Sequence, residues 1–194
     1  MRKTIAIALI LTVLLTGCAA PTTDTNRPTQ SQQRENVGYA LGNTMPAIAV
    51  TTVDEDTLSL YDLLEEKKLV VLNFWFADCI WCVREFPVME LAYQRYQSDV
   101  EILALNPSDP TSVIEDFRQE HSLSFSVAVC TRDTVMSFGV SGYPTSVFID
   151  RYGKICLIHS GAITDPSVFY EVFDYFTADD YESRSFQSIS QLPV

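Results

Sequence analysis

Two cysteines separated by two residues are the part of this sequence best suited to chemistry. Cys79, Ile80, Trp81 and Cys82 follow an apolar run, Leu69–Trp75, and precede residues with helical spacing. This spacing puts both sulfurs within one helical turn, so a disulfide between Cys79 and Cys82 can close and reopen. Backbone N–H groups at a helix start stabilise a thiolate, which is the attacking species in thiol–disulfide exchange. The pattern predicts Cys79 as nucleophile and Cys82, deeper in the helix, as resolving thiol.

The elements that must position this pair follow an α/β pattern. Leu69–Trp75 is nearly continuously apolar, as expected of a strand buried on both faces. Apolar runs also predict a short edge strand over 45–50 and further strands over 100–105, 125–129, 145–150 and 154–159. Helical spacing predicts helices after residue 58 and over 83–96, 114–121, 134–138 and 166–176. This order predicts one three-layer α/β domain around a mostly parallel sheet.

Two Asp-Pro pairs mark predicted helix starts. Asp109-Pro110 and Asp165-Pro166 each combine a good N-cap side chain with a residue favoured at the first helical position. On the helix that follows the cysteines, Glu90 is expected at the surface.

The N-terminus has the features of an export signal. Met1-Arg2-Lys3 is positively charged, and Ile5–Leu15 is apolar but too short to span a bilayer as a helix. The following Leu15-Thr16-Gly17-Cys18 resembles a bacterial lipobox, which implies lipidation of Cys18 and removal of residues 1–17. An ordinary secretory signal, with Cys18 incidental, is the alternative. Either signal predicts a mature protein outside the cytoplasm, where disulfide chemistry is permitted.

Composition divides the rest of the chain into three parts. Residues 18–39 are mainly polar and predict a flexible tether, because such a segment cannot bury enough surface to offset its ordering entropy. The predicted strands and helices lie within residues 40–178, and residues 179–194 form a polar C-terminal tail. A chain of 194 residues suits one such domain.

Charge and cysteine content exclude some classes of protein. The chain has 13 Lys and Arg against 25 Asp and Glu, so it has no basic surplus to neutralise phosphates, and we expect no nucleic-acid partner. An apolar content of 47% argues against wholesale disorder. Five cysteines are too few for a disulfide scaffold.

Several short motifs lie in order along residues 40–178. They are Gly42–Pro46, Leu58-Ser59-Leu60, Asn73-Phe74-Trp75, the cysteine pair, Arg84-Glu85-Phe86-Pro87, Gly142-Tyr143-Pro144-Thr145 and Phe148–Ile155. Together they resemble the TlpA/ResA-like thiol-disulfide oxidoreductases of the thioredoxin superfamily. The resemblance implies a thioredoxin-like fold: a three-layer α/β/α domain with a central mostly parallel sheet, an inserted αβ unit, and a C-terminal β-hairpin plus helix.

The resemblance also implies roles for individual residues. It implies a cis peptide bond between Tyr143 and Pro144, packed against the Cys79–Cys82 disulfide, with Trp81, Tyr143 and Pro144 contacting the substrate. It implies that Glu85, three residues after Cys82, assists proton transfer beneath the active site. A solvated helix carboxylate is the alternative for Glu85.

One residue departs from the family pattern. Most relatives have Trp directly before the first cysteine, whereas this chain has Asp78. A carboxylate beside Cys79 opposes the thiolate and makes the couple less oxidising, which favours a reductase. Asp78 could instead be the N-cap of the helix, with no redox meaning.

The resemblance implies an enzyme that reduces protein disulfides with its own dithiol and without a cofactor. We expect a lipid-anchored monomer on the extracytoplasmic side of the cell membrane, supplied by a membrane thiol electron donor.

Three other functions are weaker. A peroxiredoxin-like thiol peroxidase needs Pro and Thr seven and three residues before its reactive cysteine, where this chain has Leu72 and Phe76. A metal-binding module could use Cys79, Cys82, Cys156 and His159, but 73 residues lie between the two pairs, so we expect no metal. The intact cysteine pair and Pro144 argue against a redox-inactive binding module. Cys130 and Cys156 are predicted to be ordinary packed cysteines.

Overall fold

The computed structural model describes residues 36–186 and 189–192. The predicted export signal, Cys18 and most of the predicted tether lie outside the described residues. Among the residues described, no helix combines the length and the apolar character needed to cross a membrane.

Residues 36–186 contain seven strands and five α-helices. The strands are β1 Ala49–Thr52, β2 Thr57–Ser59, β3 Leu69–Phe74, β4 Val100–Asn106, β5 Ser126–Val129, β6 Thr145–Asp150 and β7 Ile155–Ser160. The helices are α1 Leu60–Glu66, α2 Ile80–Tyr96, α3 Thr111–Glu120, α4 Arg132–Ser137 and α5 Pro166–Thr177, and a 3-10 turn covers Ile189–Gln191. The α/β class predicted from the sequence is confirmed.

All seven strands belong to one sheet, in the order β2-β1-β5-β4-β3-β6-β7. The pairs β3–β4 and β4–β5 are parallel, whereas the other four neighbouring pairs are antiparallel. The expectation of a mostly parallel sheet therefore holds only for the pairing of the three central strands. The expected edge strand, β1, is covered by β2, a three-residue strand too short to show a sequence pattern.

Helices cover both faces of the sheet. On one face, alternate residues of β3 pack with α2, α3 and α5, and this layer contains Phe86, Phe117, Phe125 and Phe173. On the other face, the remaining β3 residues pack with α1 and α4. All six residues of β3 are buried, as the apolar run predicts. The strand that leads to the cysteines is thus fixed from both sides.

The two Asp-Pro pairs behave differently. Asp165 is the N-cap of α5, where its side chain accepts a hydrogen bond from Ser167 N at 2.9 Å. The N-cap prediction for Asp109 is wrong: Pro110 occupies that position. The Asp109 carboxylate instead accepts a hydrogen bond from Ala77 N at 2.7 Å. A partner 32 residues away has replaced the local one.

The ends of the described chain also contact the domain. Residues 36–39, placed in the tether by composition, include Gly38, whose N–H donates to Thr44 O. In the predicted tail, Tyr181 is buried and its hydroxyl donates to the buried Asp150 at 3.0 Å. Phe186 N donates to Cys156 O beside the outer strand, β7. The described part of the tail therefore packs on the sheet edge.

Candidate active site

Cys79 and Cys82 form a disulfide at the start of α2, with their Cα atoms 5.2 Å apart. Cys79 is the N-cap of this helix, and its sulfur accepts a hydrogen bond from Cys82 N at 3.2 Å. Cys79 is 6% exposed, whereas Cys82 is completely buried. Of the two sulfur-bearing residues, only Cys79 has any surface exposed, and its role as nucleophile stays a prediction.

Asp109 anchors the loop that carries Cys79. This loop runs from the end of β3 to the start of α2, and its Ala77 N–H donates to Asp109 Oδ2. The same oxygen accepts a hydrogen bond from Asn106 Nδ2 at 2.8 Å. Asn106, at the end of β4, is fully buried, so Asp109, in the loop after this strand, is held by the sheet.

The Tyr143–Pro144 peptide bond is cis, as the family resemblance implies. Antiparallel pairing aligns Thr145 with Phe74, so this bond lies beside the loop that leads to Cys79. The ring centroids of Tyr143 and Phe76 are 5.2 Å apart in an edge contact that joins the two loops. Pro144 is buried, whereas Tyr143 is partly exposed.

The rim of the site is apolar. Ile80 and Trp81 are 60% and 52% exposed, and the Arg84 guanidinium lies 4.8 Å from the Trp81 ring centroid. A neighbouring cavity of about 420 Å³ is lined by Phe76, Pro107, Ser108, Arg132, Val135, Met136 and Tyr143.

Asp78 is exposed beside Cys79, and its interpretation as the N-cap is wrong because Cys79 holds that position. It remains the residue directly before Cys79 in the chain.

Glu85 is fully buried between α2 and the sheet. Its Oε1 accepts a hydrogen bond from Ile163 N at 2.9 Å, and its Oε2 accepts one from Asn73 Nδ2 at 3.0 Å. Burial is the largest influence on the carboxyl and raises the pKa of Glu85 to about 7, although both hydrogen bonds lower it. The solvated interpretation of Glu85 is therefore wrong. A carboxyl with this pKa can gain or lose a proton near neutral pH.

The sequence identified Asn73 only as part of a motif, and Ser146 not at all. Both are buried, and Asn73 Nδ2 also donates to Ser146 Oγ at 2.9 Å. An amide inside an otherwise apolar strand is the signal that could have marked Asn73, because buried polar groups need partners. No comparable signal marks Ser146, which stands opposite Asn73 only after β3 and β6 have paired.

The other two described cysteines are free. The buried Cys156 thiol donates to Phe148 O at 3.3 Å, and burial raises the pKa of this thiol well above its usual value. Burial also raises the pKa of Cys130 to about 12. Neither thiol forms an appreciable amount of thiolate near neutral pH. Within the described ranges, no three His, Cys, Asp or Glu side chains are grouped to hold a metal ion.

The sequence profile of the AhpC/TSA family matches residues 41–158. The chain belongs to this family. The thiol-disulfide oxidoreductase ResA of Geobacillus thermodenitrificans is 34% identical over 136 residues, which cover 69% of this chain and 77% of that protein. The thioredoxin-like protein YneN of Bacillus subtilis is 28% identical over 138 residues, which cover 70% of this chain and 80% of the YneN chain.

A solved structure gives the same fold. The thioredoxin domain of a thiol-disulfide oxidoreductase from Bacteroides vulgatus matches with a TM-score of 0.60 at 22% identity, covering 71% of this chain and 98% of that chain. The thioredoxin-like fold is thus confirmed. Like its ResA relatives, this AhpC/TSA family member is a thiol-disulfide oxidoreductase of the thioredoxin type.

The residues before Cys79 give no support to peroxidase chemistry. Leu72 is a buried residue of β3, and Phe76 packs on Tyr143. These side chains occupy the positions where a peroxiredoxin has Pro and Thr, and Phe76 offers no hydroxyl to a peroxide.

Proposed function

We propose that this protein reduces disulfides of exported proteins at the outer side of the cell membrane. The observation that carries the proposal is the unequal burial of the two sulfurs, with Cys79 at the surface end of α2 and Cys82 enclosed. A substrate sulfur can approach Cys79, and only Cys82 is placed to break the resulting mixed disulfide.

The reduced enzyme begins the reaction with a Cys79 thiolate. This thiolate attacks one substrate sulfur, forms a mixed disulfide and displaces the other substrate sulfur as a thiolate. Cys82 then loses its proton and attacks the Cys79 sulfur, which reforms Cys79–Cys82 and releases the second substrate thiolate. The substrate gains two electrons and the enzyme loses two. Glu85 is the buried group that takes part in the proton movement, since its carboxyl titrates near neutral pH.

Two features support the reducing direction. Asp78 is beside Cys79, and Glu85 is three residues after Cys82 on the same helix. Negative charge near a thiolate destabilises the reduced form of the couple, which makes the couple a stronger reductant. A membrane thiol electron donor must then return electrons to the Cys79–Cys82 disulfide after each cycle.

The apolar rim suits an unfolded or partly folded protein substrate. Trp81 is half exposed, and Tyr143 borders the cavity that Phe76, three residues before Cys79, also lines. A polypeptide around a substrate disulfide could bury apolar side chains there, beside Pro144.

A trapping experiment tests the assigned roles. Cys82→Ser should accumulate mixed disulfides with exported proteins, because the resolving thiol is absent. Cys79→Ser should accumulate almost none, since the remaining sulfur is buried. Both variants should lose insulin reduction, whereas Cys130→Ser should retain it and serves as the control. Trapping by Cys79→Ser but not by Cys82→Ser would reverse the two roles.

A further inference from the structure

Three buried polar side chains from three elements meet at Glu85, three residues beyond Cys82 on α2. Glu85 lies on α2, and Asn73 and Ser146 are cross-strand neighbours on β3 and β6. All three are at most 2% exposed. Asn73 Nδ2 donates both to Glu85 Oε2, at 3.0 Å, and to Ser146 Oγ, at 2.9 Å. Asn73 Oδ1 accepts no hydrogen bond from the described residues.

This arrangement matches an ionised Glu85. A carboxylate only accepts hydrogen bonds, and here it accepts one from Ile163 N and one from Asn73 Nδ2. Both amide hydrogens of Asn73 are used, and the Ser146 hydroxyl oxygen acts as acceptor for one of them.

A protonated Glu85 needs a different partner. The Ile163 N–H can only donate, so the added proton belongs on Oε2, the oxygen that faces Asn73. In the present orientation this O–H would meet the amide hydrogens of Asn73. Turning the amide by half a rotation would bring Oδ1 to the same place and move Nδ2 to the present position of Oδ1, where no hydrogen-bond partner is found among the described residues. Oδ1 has two lone pairs, so it could accept from both the Glu85 O–H and the Ser146 O–H.

We propose that Asn73 and Ser146 are positioning residues for Glu85, and that the Asn73 amide turns over whenever the carboxyl gains or loses its proton. Ser146 makes this possible because a hydroxyl can accept from the amide nitrogen in one state and donate to the amide oxygen in the other. Glu85 then faces a matched partner in both states, and a buried carboxyl can exchange a proton without rearranging the backbone. The catalytic use of this exchange rests on the proposed function, whereas the amide rotation does not.

Other titratable groups near this cluster are few. None of the ion pairs found among the described residues includes Glu85. Cys82, on the same helix, is held in the disulfide. His159 on β7 is the cross-strand neighbour of Ser146, and burial lowers its pKa. Asp165 lies two residues beyond Ile163 but is exposed and caps α5. His159 is therefore the group to separate from Glu85 in a titration.

Nuclear magnetic resonance of the oxidised full-length chain tests the proposal. The carboxyl carbon shift of Glu85 reports its protonation, and cross-peaks between the Asn73 amide hydrogens and the Ser146 β-hydrogens report the amide orientation. As the pH is lowered from about 9 to about 5, these cross-peaks should disappear, and the midpoint of their loss should equal the midpoint of Glu85 protonation. The same midpoint should persist in His159→Gln. Cross-peaks that remain after the carboxyl has gained its proton would overturn the rotation.

Two variants test the positioning role. Asn73→Leu removes the hydrogen bond to Glu85 in both protonation states. Because the bond to the charged carboxylate is the stronger of the two, the carboxyl midpoint should rise by about one pH unit. Ser126→Ala is the control, since Ser126 donates to a different buried carboxylate, Glu101, at 3.1 Å. It should leave the Glu85 midpoint unchanged. An unchanged midpoint in Asn73→Leu would show that Asn73 does not position Glu85. If that variant does not fold, the pH dependence of the wild-type cross-peaks tests the proposal instead. Both measurements use the oxidised enzyme, so they stand whether or not the protein acts as a reductase.

Discussion

Replacing Glu85 with glutamine should remove a pH-dependent loss of stability. Glu85 is fully buried, and its pKa is raised from an ordinary value of 4.5 to about 7. Between these pH values the folded protein holds a proton that the unfolded chain has released. The stabilisation by this proton is therefore complete below pH 4.5, falls as the pH rises and is lost above about pH 7.

The size of the effect follows from the same pKa values. While only the folded state is protonated, the free energy of unfolding falls by roughly 1.4 kcal/mol per pH unit. Across the whole window the loss is about 3 kcal/mol, which is large against a typical domain stability of about 5–15 kcal/mol. Glutamine has nearly the same shape and no charge, so Glu85→Gln should lack this step.

Urea denaturation of the oxidised protein at a series of pH values measures the effect. The difference in unfolding free energy between wild type and Glu85→Gln should change by about 3 kcal/mol from pH 4.5 to pH 8.5. The wild type should become less stable relative to Glu85→Gln as the pH rises. Other titrating groups cancel in this difference. Glu120→Gln, at an exposed site on α3, should follow the wild type. Parallel curves for wild type and Glu85→Gln would refute the assignment of a raised pKa to this carboxyl.

Two further predictions concern the active-site loop and the membrane anchor. Asp109→Ala leaves Ala77 N without its acceptor, so we expect a loss of about 1–3 kcal/mol in unfolding free energy and slower insulin reduction. The control Asp116→Ala, at an exposed site, should change neither quantity. Equal results for the two variants would contradict the anchoring role of Asp109. Cys18→Ser should abolish fatty-acid labelling and release the protein from membranes, and continued membrane association of the unlabelled variant would contradict the lipid anchor.

The strongest local patterns predicted their elements well. The apolar run that forms β3 and the Asp165-Pro166 start of α5 are both found as expected, because burial on two faces and a local cap decide these elements. Asp109-Pro110 has the same local signature, yet Asp109 bonds to Ala77 instead. Only the folded sheet brings these two residues together, so no local pattern could show the competition between them.

Long-range contacts also explain what the sequence missed around the site. The cysteine pair is evident from its spacing, whereas the environment of Glu85 depends on Ile163, 78 residues away. Glu90 was expected at the surface but is 7% exposed, because Ser124 donates to its carboxylate through both the backbone and the hydroxyl. Helical periodicity does not distinguish a solvated carboxylate from a buried one with partners on a distant strand.

The reduction potential of the Cys79–Cys82 couple tests the proposed reductase activity most directly. It can be measured by equilibrating the protein with glutathione and dithiothreitol redox buffers and counting free thiols. Cys130→Ser is the control for the more exposed of the two free cysteines in the described part of the chain. Because Asp78 directly precedes Cys79 and Glu85 follows Cys82 by three residues on α2, we expect a value closer to the thioredoxin potential of about −270 mV than to the DsbA potential of about −120 mV. A potential more oxidising than about −180 mV would contradict the reductase assignment.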